Sequence, residues 1–526
     1  MEIRVRLLYT FLPLALAMAQ EKPVALYSGT GIWKHPIQTS SPEAQKFFDQ
    51  GLSLMFGFNR YEARRSFRKA AELDPRAPMP QWGIAMSTGP YINMDGEPTY
   101  DMKTSCAAVD AGLKLEISSP RERAYLQAAA ARCPEYKDPD AYIAAMRTLS
   151  ERWPDDLDAV TLYAESLMLP VRWHWYDAGG SPATGTLAAE RALESVLRRW
   201  PDHPGANHLY IHAVESSPTP ERGIPSAQRL MGLTPGEGHM VHMPGHIWLV
   251  LGDWEMAATV NERAAEVDRQ YFATTGVTEG SYPMYYVHNL HFIAYARTMQ
   301  GCRTDALKAT ADLAAALSPM AEAMPEMADA FIPVPWFNLL RFNEWDTILK
   351  LPQPKPQQKV AAAFWHYGRA IAFAAKSDKA KAASERTAFE AARKEVPAEA
   401  AWGQNPVAPV LSIASEILAA RIAGDAVVHL QRAVELQDAL VYDEPPAWYY
   451  PIRESLGTAL LRAGKPAEAE AIFREGARRS PRNGRMLFGL MESLRAQQKT
   501  EQAEWVRKEY EAAWSKADIR LSLDTM

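Results

Sequence analysis

The stretch GTALLRAGKPAEAEAIFREGARRSP, residues 457–481, decides the fold. Gly457 stands 12 residues before Ala469, Phe473 follows that alanine by four, and Pro481 by 12. The same intervals join Gly51, Ala63, Phe67 and Pro75 near the other end of the chain. A small residue is needed where two helices approach closely, and a proline stops the second helix of the pair. Gly245 to Ala257 and Ala294 to Ala306 repeat the first interval, and Gly223 to Pro235 repeats the last. Helix pairs are therefore expected around 42–75, 204–235, 238–273, 280–316, 445–481 and 483–514. The stretches between read as helical with weaker register. A repeat of ~34 residues gives roughly ten to twelve pairs in all.

This spacing is the tetratricopeptide-repeat (TPR) signature, which is specific when it recurs. It predicts an all-α, TPR-like helical-repeat solenoid, a right-handed superhelix running as one unit over residues 20–526. Its helix pairs bury a continuous core only by stacking. Composition agrees: alanine, leucine, glutamate and arginine recur, and β-branched runs are scarce. The 38 prolines mostly fall between helical stretches, as punctuation. A net charge of -6 argues against nucleic acid as a partner.

Arg4 and Arg6 precede an apolar run from Leu7 to Leu16, and Ala17-Met-Ala19 gives a small-x-small cleavage site. Residues 1–19 thus read as a secretory signal peptide; the run is too short for a membrane span. The mature chain is expected to be periplasmic or secreted, with no span of its own. Cys106, Cys133 and Cys302 form no metal-binding spacing. In an oxidising compartment the Cys106–Cys133 pair, nearest in sequence, is the candidate bridge; buried free thiols are the alternative.

Seven of the twelve histidines fall between His208 and His291, in the central repeats at 204–316. They come in three bursts: His208 and His212; His239, His242 and His246; His288 and His291. Measured back from Gly223, Ala257 and Ala306, the bursts share one register: His208, His242 and His291 each lie 15 residues before their anchor. His212 and His246 lie 11 before theirs, where the third repeat has Tyr295, and His239 and His288 lie 18 before. At about 100° per residue these columns fall within ~80° of arc. That face avoids the helix-packing positions and is expected to look into the concave groove. Pro244 departs from the pattern, so helix in this burst is expected only from about Pro244, which would make His239 and His242 loop ligands or aim them elsewhere.

Imidazole is the commonest metal-ligating side chain. The register points to transition-metal binding by His208, His212, His239, His242, His246, His288 and His291. Glu215 extends the His208/His212 stripe as ligand, outer partner or base. With no cysteine cluster, copper, zinc and iron are the candidate ions. Seven imidazoles exceed one ion's needs. An exported location and Met231, Met240 and Met243 favour copper, although methionines of this kind more often fill cores. Glu215 and Tyr295 are the candidate catalytic residues, with Trp173 and Trp175 walling a small-molecule or peptide substrate in the groove. The reaction expected is copper- or iron-dependent oxidation. The alternatives are a zinc-dependent hydrolase, with Glu215 as base for a metal-bound water, and a scaffold whose groove holds a peptide or protein partner without catalysis. His35, His203, His366 and His429 read as surface or satisfied core residues, and His174 as part of an aromatic packing run.

Several stretches resemble a group of secreted bacterial TPR proteins with a histidine-rich central segment. They include Phe48-Asp-Gln-Gly51, Gly89-Pro-Tyr-Ile-Asn93, His203 to Glu215, His242-Met-Pro-Gly-His246, His288-Asn-Leu-His291-Phe292, Pro481-Arg-Asn-Gly484 and Leu487-Phe-Gly-Leu490. The resemblance spans most of the mature chain. It implies the fold and the unity of the chain, and supplies no reaction.

Overall fold

A computed structural model describes residues 22–93, 100–277, 282–323, 325–422 and 424–526. The expected signal peptide at 1–19 lies outside them. The described chain is a succession of helix pairs, from Pro42–Phe56 with Arg60–Leu73 to Gly484–Ala496 with Thr500–Ala513. Short turns make the partners antiparallel, and the whole is a TPR-like helical-repeat solenoid. Among the described residues the only strands are Ala401–Trp402 and Asn405–Pro406, an antiparallel hairpin.

Local chemistry sets the helix starts. The side chains of Ser41, Asn59, Asp253 and Asn483 accept from backbone N–H groups of the first turn. Pro42, Pro204 and Pro466 occupy first-turn positions that need no donor. The signature glycines explain themselves in the packing. A Cβ on Gly51 or Gly83 would come within 2.7 or 2.3 Å of the Phe67 ring. Phe473 sits in the same way between Gly457 and Gly489. Each ring is thus clamped by glycines from the helices before and after it, and both rings are fully buried. The central repeats break this rule. Four residues after Gly223, Ala257 and Ala306, where the phenylalanine belongs, stand Ala227, Asn261 and Thr310.

The solenoid winds so tightly that distant repeats touch. Ser53 Oγ donates to Glu237 Oε1 at 2.5 Å, and Tyr271 Oη to Glu62 Oε2 at 3.2 Å. On the other side, Trp254 Nε1 donates to the Arg482 carbonyl at 3.3 Å, and Arg341 pairs with Glu454 at 2.5 Å. The first repeat, through Phe56 on His208, and the segment of Tyr442 and Glu444, through Glu215 and His246, close over the central repeats. This corrects one sequence expectation. The histidine face does avoid the packing glycines, but what it faces is interior: His208, His212, His239, His242 and His246 are all 0–2% exposed.

A second expectation also changes. His239 and His242 do not sit in a loop; Gly238–His242 is helical and runs into Pro244–Val250 through Met243, itself at φ -50°, ψ -37°. Pro244 has no N–H to donate, so the ladder shifts there, with His246 N donating to the Met243 carbonyl at 3.2 Å. His239, His242 and His246 consequently project from one face.

Cys106 and Cys133 form a disulfide, and Cys302 is a buried free thiol. No helix of the described residues is long and apolar enough to cross a membrane.

Candidate metal centre

Three helices deliver the cluster. Pro204–Glu215 carries His208, His212 and Glu215 on one stripe; 238–250 carries His239, His242 and His246; Tyr282–Gln300 carries His288 and His291. Their rings gather into two triads. The nitrogens of His208, His212 and His239 lie within 4.8 Å of one another, as do those of His242, His246 and His288. The triads adjoin: the His212 and His246 ring centroids are 5.3 Å apart, and those of His239 and His242 5.6 Å.

Hydrogen bonds fix which nitrogen each ring presents. His208 Nδ1 donates to the Phe56 carbonyl at 2.5 Å, and His212 Nδ1 to Glu215 Oε1 at 2.8 Å. His246 Nδ1 donates to the other Glu215 oxygen, Oε2. His242 Nδ1 meets Asn261 Oδ1 at 2.6 Å. The Asn261 amide is held by its own Nδ2–H bond to the Ala257 carbonyl at 2.7 Å, so its oxygen is what His242 sees. An Nδ1–H leaves the lone pair on Nε2. The consequence is a set of Nε2 lone pairs turned on one another inside the protein. His208 Nε2, His212 Nε2 and both His239 nitrogens have no hydrogen-bond partner. His242 Nε2 and His246 Nε2 face each other at 2.7 Å, an arrangement that a shared proton or a metal ion would hold.

Glu215 joins the triads. Its two oxygens take one imidazole from each, and Oε2 also accepts from Tyr442 Oη at 3.2 Å. Three donors on two oxygens is the pattern of a carboxylate, although burial pushes this group up and His246 pulls it down. Carboxylates that hold the far nitrogen of a ligating histidine orient the ring and raise its basicity. Burial also holds the rings neutral, the form that binds metal. It pushes His212, His242 and His246 down to about 3 and His291 to about 4. His208, His239 and His288 are held well below the ordinary histidine range for the same reason.

The remaining site residues fall as follows. His288 and His291 are half-buried and line a cavity of about 360 Å³ beside the triads. His291 lies outside both triads. Tyr295 lines the cavity too, but its ring packs on Trp254, with centroids 6.2 Å apart. Trp173 lines the cavity and meets His212 edge-on at 5.4 Å. Trp175 does not reach it; it is 1% exposed and donates Nε1 to the Met168 carbonyl. Met240 and Met243 are core residues. His35 and His203 both bond Asp158, His366 pairs with Glu385 and His429 with Glu416, while His174 is exposed. The sequence reading missed Asn261, Tyr442 and Glu444. Asn261 carries a signal, since it replaces the signature phenylalanine. Tyr442 and Glu444 arrive from more than 150 residues away, and only the breaker pair Pro445-Pro446 marks that segment as irregular.

Asp268 lies behind the cluster. Burial pushes its carboxyl up to about 7, against hydrogen bonds from Tyr282 and from Asn289 Nδ2, the latter to Oδ2 at 2.6 Å. A raised carboxyl keeps its proton in the folded chain after the unfolded chain has lost it, so its stabilisation is complete below about pH 4 and is lost as pH rises to about 7. Between pH 5 and 7 this one group costs about 2–3 kcal/mol. Asp268→Asn has no such proton to lose. The unfolding free energy, read from urea titrations, should change between pH 5 and pH 7 by about 2–3 kcal/mol less favourably in the wild type than in the variant, the depressed histidines contributing equally to both.

No family model matches the chain, and no curated protein matches it. Among solved structures, it is similar to the anaphase-promoting-complex hetero-tetramer Cut9–Hcn1 at 13% identity and TM-score 0.33, over 87% of this chain and 78% of that one. Yeast Tom70 follows at 12% and 0.30, over 89% and 90%. A human IFIT1 dimer with m7Gppp-AAAA follows at 12% and 0.33, over 91% of each. Likenesses this distant carry nothing about activity or partner.

Proposed function

We propose that the chain is a metal-binding TPR protein whose two buried triads each hold a transition-metal ion. One observation carries the reading: imidazoles whose Nδ1 is tied to a carbonyl, amide or carboxylate oxygen converge their free Nε2 atoms in the interior. An unpaired polar atom in the core costs about 1–3 kcal/mol, and a bound cation would satisfy several at once. The all-nitrogen donor set suits copper, zinc or iron, and copper stands highest in divalent affinity. The disulfide supports an oxidising compartment, and with it the exported, periplasmic or secreted location.

Three imidazoles per ion leave coordination positions open, as catalytic metal sites do. With His288 at a cavity, copper- or iron-dependent oxidation is the reaction we favour. Zinc-dependent hydrolysis is less well served, because both oxygens of Glu215 are engaged by imidazole donors and are not free to take a proton from water. A peptide-binding scaffold without catalysis is the rival from another class; it needs an open groove, whereas these rings are interior.

Chelator-competition titrations with Cu²⁺ and Zn²⁺ test the proposal. Two ions should bind per chain. His208→Ala/His239→Ala should lose one and His242→Ala/His288→Ala the other, with helical circular dichroism retained. Wild-type protein that takes up neither metal would return the chain to the scaffold reading.

A further inference from the structure

We infer that the cavity beside the triads takes a small uncharged aromatic molecule bearing a hydroxyl, a phenol in the simplest case. The inference rests on the metal reading, since the cavity is the approach to that centre. Its volume, about 360 Å³, falls in the range of small-molecule sites. That range suits a ring with a few substituents and not a folded peptide.

The walls are aromatic. Trp173 and Tyr285 stand at the triad side, against His212 and His239, and Phe337, Trp402 and Tyr449 form a second aromatic group. Phe337 and Tyr449 are already stacked, 4.4 Å between centroids and 6° between planes, and Phe337 meets Trp402 at 5.7 Å. A planar ring extends such a stack, gaining edge and face contacts that a saturated ring of the same size does not make.

The polar groups gather where the cavity meets the triads. His288 and His291, one helical turn apart, make no hydrogen bond among the described residues. Glu444 lines the same cavity, with Oε1 3.6 Å from His246 Nδ1. A hydroxyl both donates and accepts, as does a neutral imidazole, so it can serve His288 and His291 together. No lysine or arginine lines the cavity among the described residues. A carboxylate ligand would lose its hydration beside Asp443 and Glu444 with no cationic side chain to offset it.

Calorimetric titration of the full chain, metal-free and metal-loaded, with phenol, toluene, cyclohexanol and benzoate tests this. Phenol should bind one per chain, at least tenfold more tightly than the other three to the metal-free protein. Ala330→Trp places an indole in the cavity without touching a triad; it should weaken phenol at least tenfold and leave the number of bound ions unchanged. His291→Leu keeps the walls and should bring phenol down to the level of toluene. Phenol that fails to bind, or binds no better than cyclohexanol or toluene, overturns the inference. So does unchanged phenol binding in both variants. Metal uptake without phenol binding sinks the cavity claim alone; phenol binding without metal uptake sinks the metal reading alone.

Discussion

Glu215→Ala is expected to weaken metal binding at both triads together, by about 10- to 100-fold at each. The reason is geometric. One carboxylate holds His212 Nδ1 by Oε1 and His246 Nδ1 by Oε2, and those rings belong to different triads. Without it, both imidazoles lose the acceptor that fixes their tautomer and orientation. Glu215→Gln should behave differently. Its amide oxygen can still accept from one ring, but its NH2 group faces the other and demands a lone pair on that Nδ1. The proton then moves to Nε2, the nitrogen that would ligate. The glutamine variant should therefore lose one ion and keep the other, whereas alanine weakens both. Chelator competition on the two purified variants reads this directly. Weakening at one triad only in the alanine variant would contradict the bridging role.

Phe67→Ala is expected to destabilise the first repeats by about 3–5 kcal/mol. The ring is 0% exposed and lies between Gly51 and Gly83. Glycines have no side chain with which to fill the space left behind. The three helix backbones would have to move together to close it, and each is held by its other neighbours. In a solenoid each repeat leans on the next, so the loss should appear as an early transition in urea rather than as a uniform shift. A variant that unfolds at the wild-type midpoint, in a single step, would show that the clamped ring is not what joins these repeats.

The fold was legible because the repeat is local. Gly51, Ala63, Phe67 and Pro75 report contacts made within one helix pair and its neighbour, and the copy at 457–481 reports the same contacts again. The triads were half legible. A common register placed His208, His212, His242, His246, His288 and His291 on equivalent faces, because adjacent repeats put equivalent columns side by side. Their burial was not, because it comes from the winding of the superhelix. Phe56 reaches His208 across 152 residues and Tyr442 reaches Glu215 across 227, and no periodicity encodes such contacts. Asn261 lay between these cases. It occupies the phenylalanine position of its repeat, over Gly245, and a polar residue at a packing position is itself a signal of a polar neighbour. Pro244 misled for a related reason. Proline removes one donor, but a helix arriving from Gly238 needs only the turn at Met243 to shift its bonding and continue.

The central claim is that ions sit among the Nε2 atoms of the two triads. Anomalous scattering from crystals of the copper-loaded full chain, recorded on either side of the copper edge, tests it most directly. The account predicts two peaks per chain, one bounded by His208, His212 and His239 and one by His242, His246 and His288, each about 2.0–2.1 Å from its nitrogens, the distance usual for imidazole on an ion of this size. Peaks confined to surface histidines such as His174 or His429, with none inside the cluster, would contradict it.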